Sequence, residues 1–89
     1  MIEIGFSSSF NRAYKKIIKF SPEVESKFWE KIDLFYENPF NNSLKTHKLV
    51  GKLNHLWSFS IDYSLRVIFY FESDTKITLI DIGSHDEVY

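Results

Sequence analysis

The 89-residue chain contains no cysteine. Disulfides and thiolate-bound metals are therefore excluded, and the composition suits a reducing compartment. No apolar run approaches the roughly 20 residues needed to cross a bilayer; the longest surrounds Val67 to Phe71. No basic-then-apolar stretch opens the chain, so a soluble, cytoplasmic domain with no membrane partner is expected. An excess of one charge is missing too. Eleven Lys and Arg stand against 12 Asp and Glu, for a net charge of -1. The molecule as a whole is not a polycation, but a local positive surface remains compatible with that sum. There is no internal repeat, linker or low-complexity segment. The histidines and carboxylates show no recognised metal spacing, so no metal and no other cofactor is expected.

What is present is one domain's worth of chain, residues 1–89, rich in rings. Aromatic residues make up 18%, which lets a small core bury a large area. The charges are segregated. From Asn41 to Phe71, Lys45, Lys48, Lys52 and Arg66 face only Asp62. Arg12, Lys15, Lys16 and Lys19 form a second basic group, while the acids gather between Glu23 and Glu37 and after Glu72.

Periodicity supplies the elements. Met1 to Phe6 alternates and predicts a short strand. Ser7 to Ser9 offer caps for a helix from about Ser9 to Phe20, with Phe10, Tyr14, Ile17 and Ile18 as its apolar stripe. Ser21-Pro22 predicts a second helix start, with Val24, Phe28, Ile32, Phe35 and Tyr36 buried and Asn38-Pro39 as the stop. Leu44 to Val50, Trp57 to Asp62, Leu65 to Phe71 and Lys76 to Ile82 predict four more strands. The order β-α-α-β-β-β-β predicts an α+β domain: an antiparallel sheet with an N-terminal helix hairpin packed on one face. In the third of these five strands Ser58, Ser60 and Asp62 share one side. In the fourth, Arg66, Ile68 and Tyr70 share one side and Leu65, Val67, Phe69 and Phe71 point to the helices.

The ending Gly83-Ser84-His85-Asp86-Glu87-Val88-Tyr89 places an imidazole just past a glycine and a ring at the last position. Histidine is the side chain whose ordinary pKa lies closest to neutrality. A histidine so placed points to a docked tail or a site.

Together with His47-Lys48-Leu49-Val50-Gly51, the Trp57 strand and Arg66-Val67-Ile68-Phe69-Tyr70, this ending resembles the RelE/ParE superfamily of bacterial toxins, in its YafQ-like mRNA interferase branch. The resemblance covers essentially the whole chain. It implies a toxin that enters the ribosomal A site of the 30S subunit, cuts mRNA there, and is neutralised by a cognate antitoxin protein. It matches His85 to a catalytic histidine, His47 to the histidine before Lys-Leu, Arg66 to a catalytic arginine, and Tyr89 to a terminal aromatic near the scissile nucleotide. Where YafQ-like proteins carry a histidine in the third strand and an aspartate in the following turn, this chain has Ser60 and Ser64.

Metal-independent RNA cleavage uses the 2′-OH as nucleophile on the adjacent phosphate. It needs a base, an acid and positive charge on the phosphorane. His85 is assigned as acid and His47 as base or substrate orienter, although either order satisfies the sequence. Arg66 would grip phosphate, Tyr89 and Tyr70 would stack on or orient a base, and Lys45, Lys48, Lys52 and Ser60 would line the RNA path. Each residue also has a plainer reading. His85, His47 and His55 can be solvated, Trp57 can be core, and Arg66 can pair with Asp62 or Asp81. Two other functions stay open: a ParE-like inhibitor of DNA gyrase, which needs no acid–base pair, and a degenerate toxin that only binds its antitoxin.

Overall fold

Ser7 starts the first helix. Its hydroxyl accepts a hydrogen bond from the Phe10 amide at 3.1 Å, and α1 (Ser8–Phe20) follows. The computed structural model describes residues 1–53 and 55–84, so His85 and Tyr89 lie outside the described residues. The other elements are β1 (Glu3–Phe6), α2 (Val24–Glu37), β2 (His47–Lys48), β3 (Trp57–Ser60), β4 (Leu65–Phe71) and β5 (Lys76–Ser84). No helix among the described residues is long and apolar enough to cross a membrane.

The second helix begins later than its sequence suggests. The Val24 amide donates to the Ser21 carbonyl and the Glu25 amide to the Pro22 carbonyl, so Ser21 to Glu23 form a turn ahead of α2. The N-cap position falls to Glu23 rather than Ser21, and Glu23 makes no side-chain cap bond. Val24, Phe28, Ile32 and Phe35 are buried as the periodicity predicts, whereas Tyr36 is exposed. Phe35 already occupies the core position, and Tyr36 lies about 100° further round the helix.

The predicted strand from Leu44 to Val50 shrinks to the two residues of β2. The Asn41 side chain accepts from the Ser43 amide and hydroxyl, which winds Asn42–Leu44 into a 3-10 turn and drives Leu44 into the core. Lys45 then takes a left-handed conformation with φ 53°, which breaks the extended chain. Pairing resumes only at His47.

The five strands form one sheet in the order β1-β5-β4-β3-β2. The β2-β3-β4-β5 meander is antiparallel, as expected, but β1 lies parallel to β5. The helix pair separates β1 from the meander, so no tight hairpin dictates its direction. Phe10, Phe28, Ile32 and Phe35 from the helices meet Phe59, Val67, Phe69, Ile77, Leu79 and Ile82 from one sheet face. The Phe35 ring stacks on Phe59 at 4.3 Å and meets Phe69 edge-on at 5.0 Å. Each such pair contributes about 0.5–1.5 kcal/mol beyond its buried area.

A β-bulge shapes the opposite face. Ile68 pairs with Asp81 and Phe69 with Leu79, which leaves Ile80 without a partner in β4. Ile77 and Leu79 face the helices, yet so does Ile82. The extra residue thus reverses the alternation and turns Asp81 and Gly83 to the face away from the helices. The Ser9 hydroxyl donates to the Ile80 carbonyl at 2.8 Å, tying the first turn of α1 to the bulge.

Candidate nucleic-acid interface

On the face away from the helices, pairing lines residues up in rows across the sheet. One row runs His47, Ser58, Ile68, Asp81; the next runs Ser60, Arg66, Gly83. This face is less open than strict alternation suggests. Ser58 is fully buried, and Ile68 and Ser60 are buried as well. Ser60 therefore offers little surface to a ligand.

His47 is exposed at the edge of this face. Its Nδ1 lies 3.1 Å from the Lys45 carbonyl and its Nε2 lies 3.4 Å from the Ser58 hydroxyl. The carbonyl can only accept, so it favours a proton on Nδ1 and leaves Nε2 as the basic nitrogen facing the hydroxyl. Alternation puts Lys48 on the opposite side of β2, in the row of Trp57. His47 and Lys48 share a cleft of about 300 Å³ with Leu49, Val50 and Leu53.

Arg66 lies two strands away. It does not pair with Asp62 or Asp81. Its Nη1 donates to the carbonyls of Asp62 at 3.0 Å and Tyr63 at 3.2 Å, with a marginal third contact to Leu65 at 3.5 Å. Among the described residues, no hydrogen bond engages Nη2 or Nε, so that edge of the fork is available to an anion. The Asp62 carboxylate is occupied elsewhere. Its Oδ1 accepts from the Ser64 and Leu65 amides, each at 3.0 Å, and its Oδ2 lies 3.6 Å from Lys27 Nζ. Burial alone would raise the Asp62 pKa, but those two amides and Lys27 outweigh it and hold the carboxyl below its ordinary value. Asp81 bonds locally, its Oδ1 accepting from the Ile82 amide at 2.8 Å.

Arg66, Lys45 and Ser60 line one cleft of about 330 Å³ with Lys31, Ser43, Ile61, Asp62 and Tyr63. Three cations face one carboxylate there, and that carboxylate is already satisfied. Lys31 is the residue that sequence reasoning missed. Lys27 and Lys31 sit four apart on α2, which stacks them on one side of the helix; among the neighbouring acids that spacing reads as solvated surface.

The other predicted residues are not gathered into this cleft. His47 and Arg66 are two strands and two residues apart, about 12 Å between backbone positions. Tyr70 is at the far end of β4, and its hydroxyl donates to Glu72 at 3.2 Å. Lys52 occupies an exposed 3-10 turn, Gly51–Leu53, and lines neither cleft. His85 and Tyr89 are outside the described residues. Among the described residues, no three His, Cys, Asp or Glu side chains gather as metal ligands would.

A family described as the bacterial toxin YafQ of type II toxin–antitoxin systems matches residues 2–89. YafQ from E. coli strain BL21(DE3) superposes with a TM-score of 0.82 at 16% identity, covering 100% of this chain and 99% of its own. YafQ in the E. coli DinJ–YafQ complex gives 0.81 at 16% identity with the same coverage. A YoeB/ParE toxin from Agrobacterium tumefaciens gives 0.76 at 18% identity, covering 94% of this chain and 99% of its own. At such identities these structures establish the common fold. No curated protein matches the sequence.

Proposed function

The chain belongs to the YafQ family of bacterial toxins from type II toxin–antitoxin systems, within the RelE/ParE superfamily, and from that premise we propose that it is a ribosome-dependent mRNA endoribonuclease. The observation that carries the reading is the cleft beside the β3–β4 turn that Arg66, Lys31 and Lys45 line together. A site built to hold a phosphodiester needs positive charge with donors left over, and this one has both.

Cleavage then proceeds without metal. One histidine of the pair His47 and His85 removes the proton from a ribose 2′-OH. The oxygen attacks the adjacent phosphorus, and the bond to the 5′-oxygen breaks. The other histidine protonates that leaving oxygen, giving a 2′,3′-cyclic phosphate and a 5′-hydroxyl. Arg66 stabilises the charge that builds on the phosphorane, while Lys31 and Lys45 hold the flanking backbone. Tyr89 and Tyr70 remain candidates for stacking on a base. The natural partner is a cognate antitoxin, a reading supported by the existence of the DinJ–YafQ complex.

One observation favours a second reading, a degenerate toxin that only binds its antitoxin. With Ser60 and Ser64 in the β3–β4 hairpin, Asp62 is the sole carboxylate there, and its oxygens are engaged by Ser64, Leu65 and Lys27. Induced expression of wild type, His85→Ala and Arg66→Ala in a bacterial host, with primer extension on an abundant mRNA, separates the two. Discrete cuts made by wild type and lost in both variants are expected. Wild type that cuts no mRNA overturns the enzyme reading, and a DNA-damage response in its place points to a gyrase inhibitor.

A further inference from the structure

Arg66 is held by backbone, and that backbone is itself held by one carboxylate. Asp62 Oδ1 draws in the amides of Ser64 and Leu65 at 3.0 Å, and the Ser64 hydroxyl adds a longer contact at 3.4 Å. The Ile61 amide closes the same hairpin on the Leu65 carbonyl at 2.9 Å. With its amides turned toward the carboxylate, the turn presents the carbonyls of Asp62 and Tyr63 to Arg66 Nη1. An arginine on an open sheet face otherwise samples several rotamers, and fixing it in advance lowers the entropy lost when an anion binds.

We propose that Asp62 is a positioning residue for Arg66, acting through the β3–β4 turn rather than by pairing with the guanidinium. The arrangement explains why a carboxylate can stand beside a phosphate-binding arginine without neutralising it. Its charge is spent on two amides and on Lys27 from α2, while Arg66 keeps its Nη2 and Nε hydrogens for substrate. The lowered pKa of Asp62 agrees with a carboxylate that remains ionised in this role. Lys27 matters less, because its contact is 3.6 Å long and its side chain is half exposed.

The proposal rests on the reading of Arg66 as a phosphate-binding residue, so the experiment has one arm that needs no catalysis. Asp62→Asn keeps the acceptor that both amides use and loses only the charge; Asp62→Ala loses both. In the first arm, the guanidinium nitrogen signals of Arg66 are followed by NMR in each purified variant, with Arg66→Ala to assign them. Wild type and Asp62→Asn should show slowed Nη rotation, and Asp62→Ala should lose it. In the second arm, cleavage of ribosome-bound mRNA should fall by about 10- to 100-fold in Asp62→Ala, the scale of a small misplacement of a catalytic group, and return in Asp62→Asn. Equal Arg66 signals in Asp62→Ala and wild type overturn the proposal. So does an Asn variant that loses them. Should Asp62→Ala fail to fold, the folded Asn variant decides alone, retained signals supporting the proposal and lost ones overturning it. If wild type cuts no RNA, the enzyme reading fails, while the NMR arm still decides whether Asp62 positions Arg66.

Discussion

The two turns that flank β4 use charge in opposite ways. Between β3 and β4, the charged groups mainly hold backbone: Asp62 takes two amides beside its longer contact to Lys27, and Arg66 takes carbonyls. Between β4 and β5, charged groups hold one another. Lys76 Nζ lies 3.3 Å from Glu72 and 3.5 Å from Glu3, all on exposed side chains, and the Tyr70 hydroxyl adds a bond to Glu72. Both turns are closed by backbone as well, the first by the Ile61 amide on the Leu65 carbonyl and the second by the Glu72 and Ser73 amides on the Lys76 carbonyl. Charges that bind backbone fix a shape, whereas exposed charges that bind each other are readily replaced by water and salt. The turn that carries the candidate site is the one in which charged side chains bind the backbone.

The sharpest way to break this contrast is to remove one cation from each turn. Arg66→Ala should lower cleavage of ribosome-bound mRNA by about 10²- to 10³-fold, the usual effect of losing a donor aimed at developing charge. Lys76→Ala should leave the rate at wild type. Primer extension against time reads both, and equal losses would mean that the two turns do not differ in function.

The elements around these turns could be read from the sequence, but not the contrast between them. The helices and β4 follow from apolar periodicity because burial of Phe10, Phe28, Phe35, Val67 and Phe69 dominates local choices. The β2 region does not, since the turn is set by one Asn41 side chain and a left-handed Lys45, neither of which leaves a periodic trace. The bulge at Ile80 left a faint one: Leu79-Ile80 are adjacent apolar residues, and the strand then resumes with the opposite parity. Arg66 was correctly placed on the face away from the helices. Its partners were carbonyls, which every residue carries, so no side-chain pattern could have named them. Lys31 was missed because the cleft forms only when α2 lies beside the β3–β4 turn.

A smaller effect sharpens the contrast in stability. Asp62→Ala frees two turn amides to water and should cost about 1 kcal/mol, a fall of roughly 4–8 °C in Tm for a domain of this size. Glu72→Ala should leave Tm within experimental scatter. A Glu72→Ala loss as large as that of Asp62→Ala would show that the exposed cluster shapes its turn after all. Smaller again is the role of Lys31. Lys31→Ala should weaken binding to single-stranded RNA and reduce the slope of log affinity against log salt by about 0.7, the value for one lost phosphate contact. Lys76→Ala should leave that slope unchanged in the same filter-binding titration.

The subtlest expected difference is in acid. Both Asp62 and Glu72 titrate below their ordinary values of 3.8 and 4.5. For Glu72 the leading cause is the hydrogen bond from Lys76, then one from Thr78. For Asp62, burial opposes the shift, and the amides of Ser64 and Leu65 with Lys27 overcome it. A carboxylate whose folded pKa is lowered stabilises the fold fully above its unfolded pKa. That contribution is lost as pH falls through the folded value. Both groups therefore act in the same window, below about pH 4, but respond differently to salt. At about 1 M salt the screening length is near 3 Å, so the Glu72–Lys76 attraction should weaken, while the amide bonds to Asp62 persist. Thermal melts from pH 6 down to pH 2 should show a difference between wild type and Asp62→Asn that changes below pH 4 at both low and high salt. The corresponding change for Glu72→Gln should be clearly smaller at high salt than at low salt, because the Lys76 part is screened. If high salt shrinks both changes equally, Asp62 is held mainly by Lys27 rather than by the turn, and the two ends of β4 work by the same electrostatics.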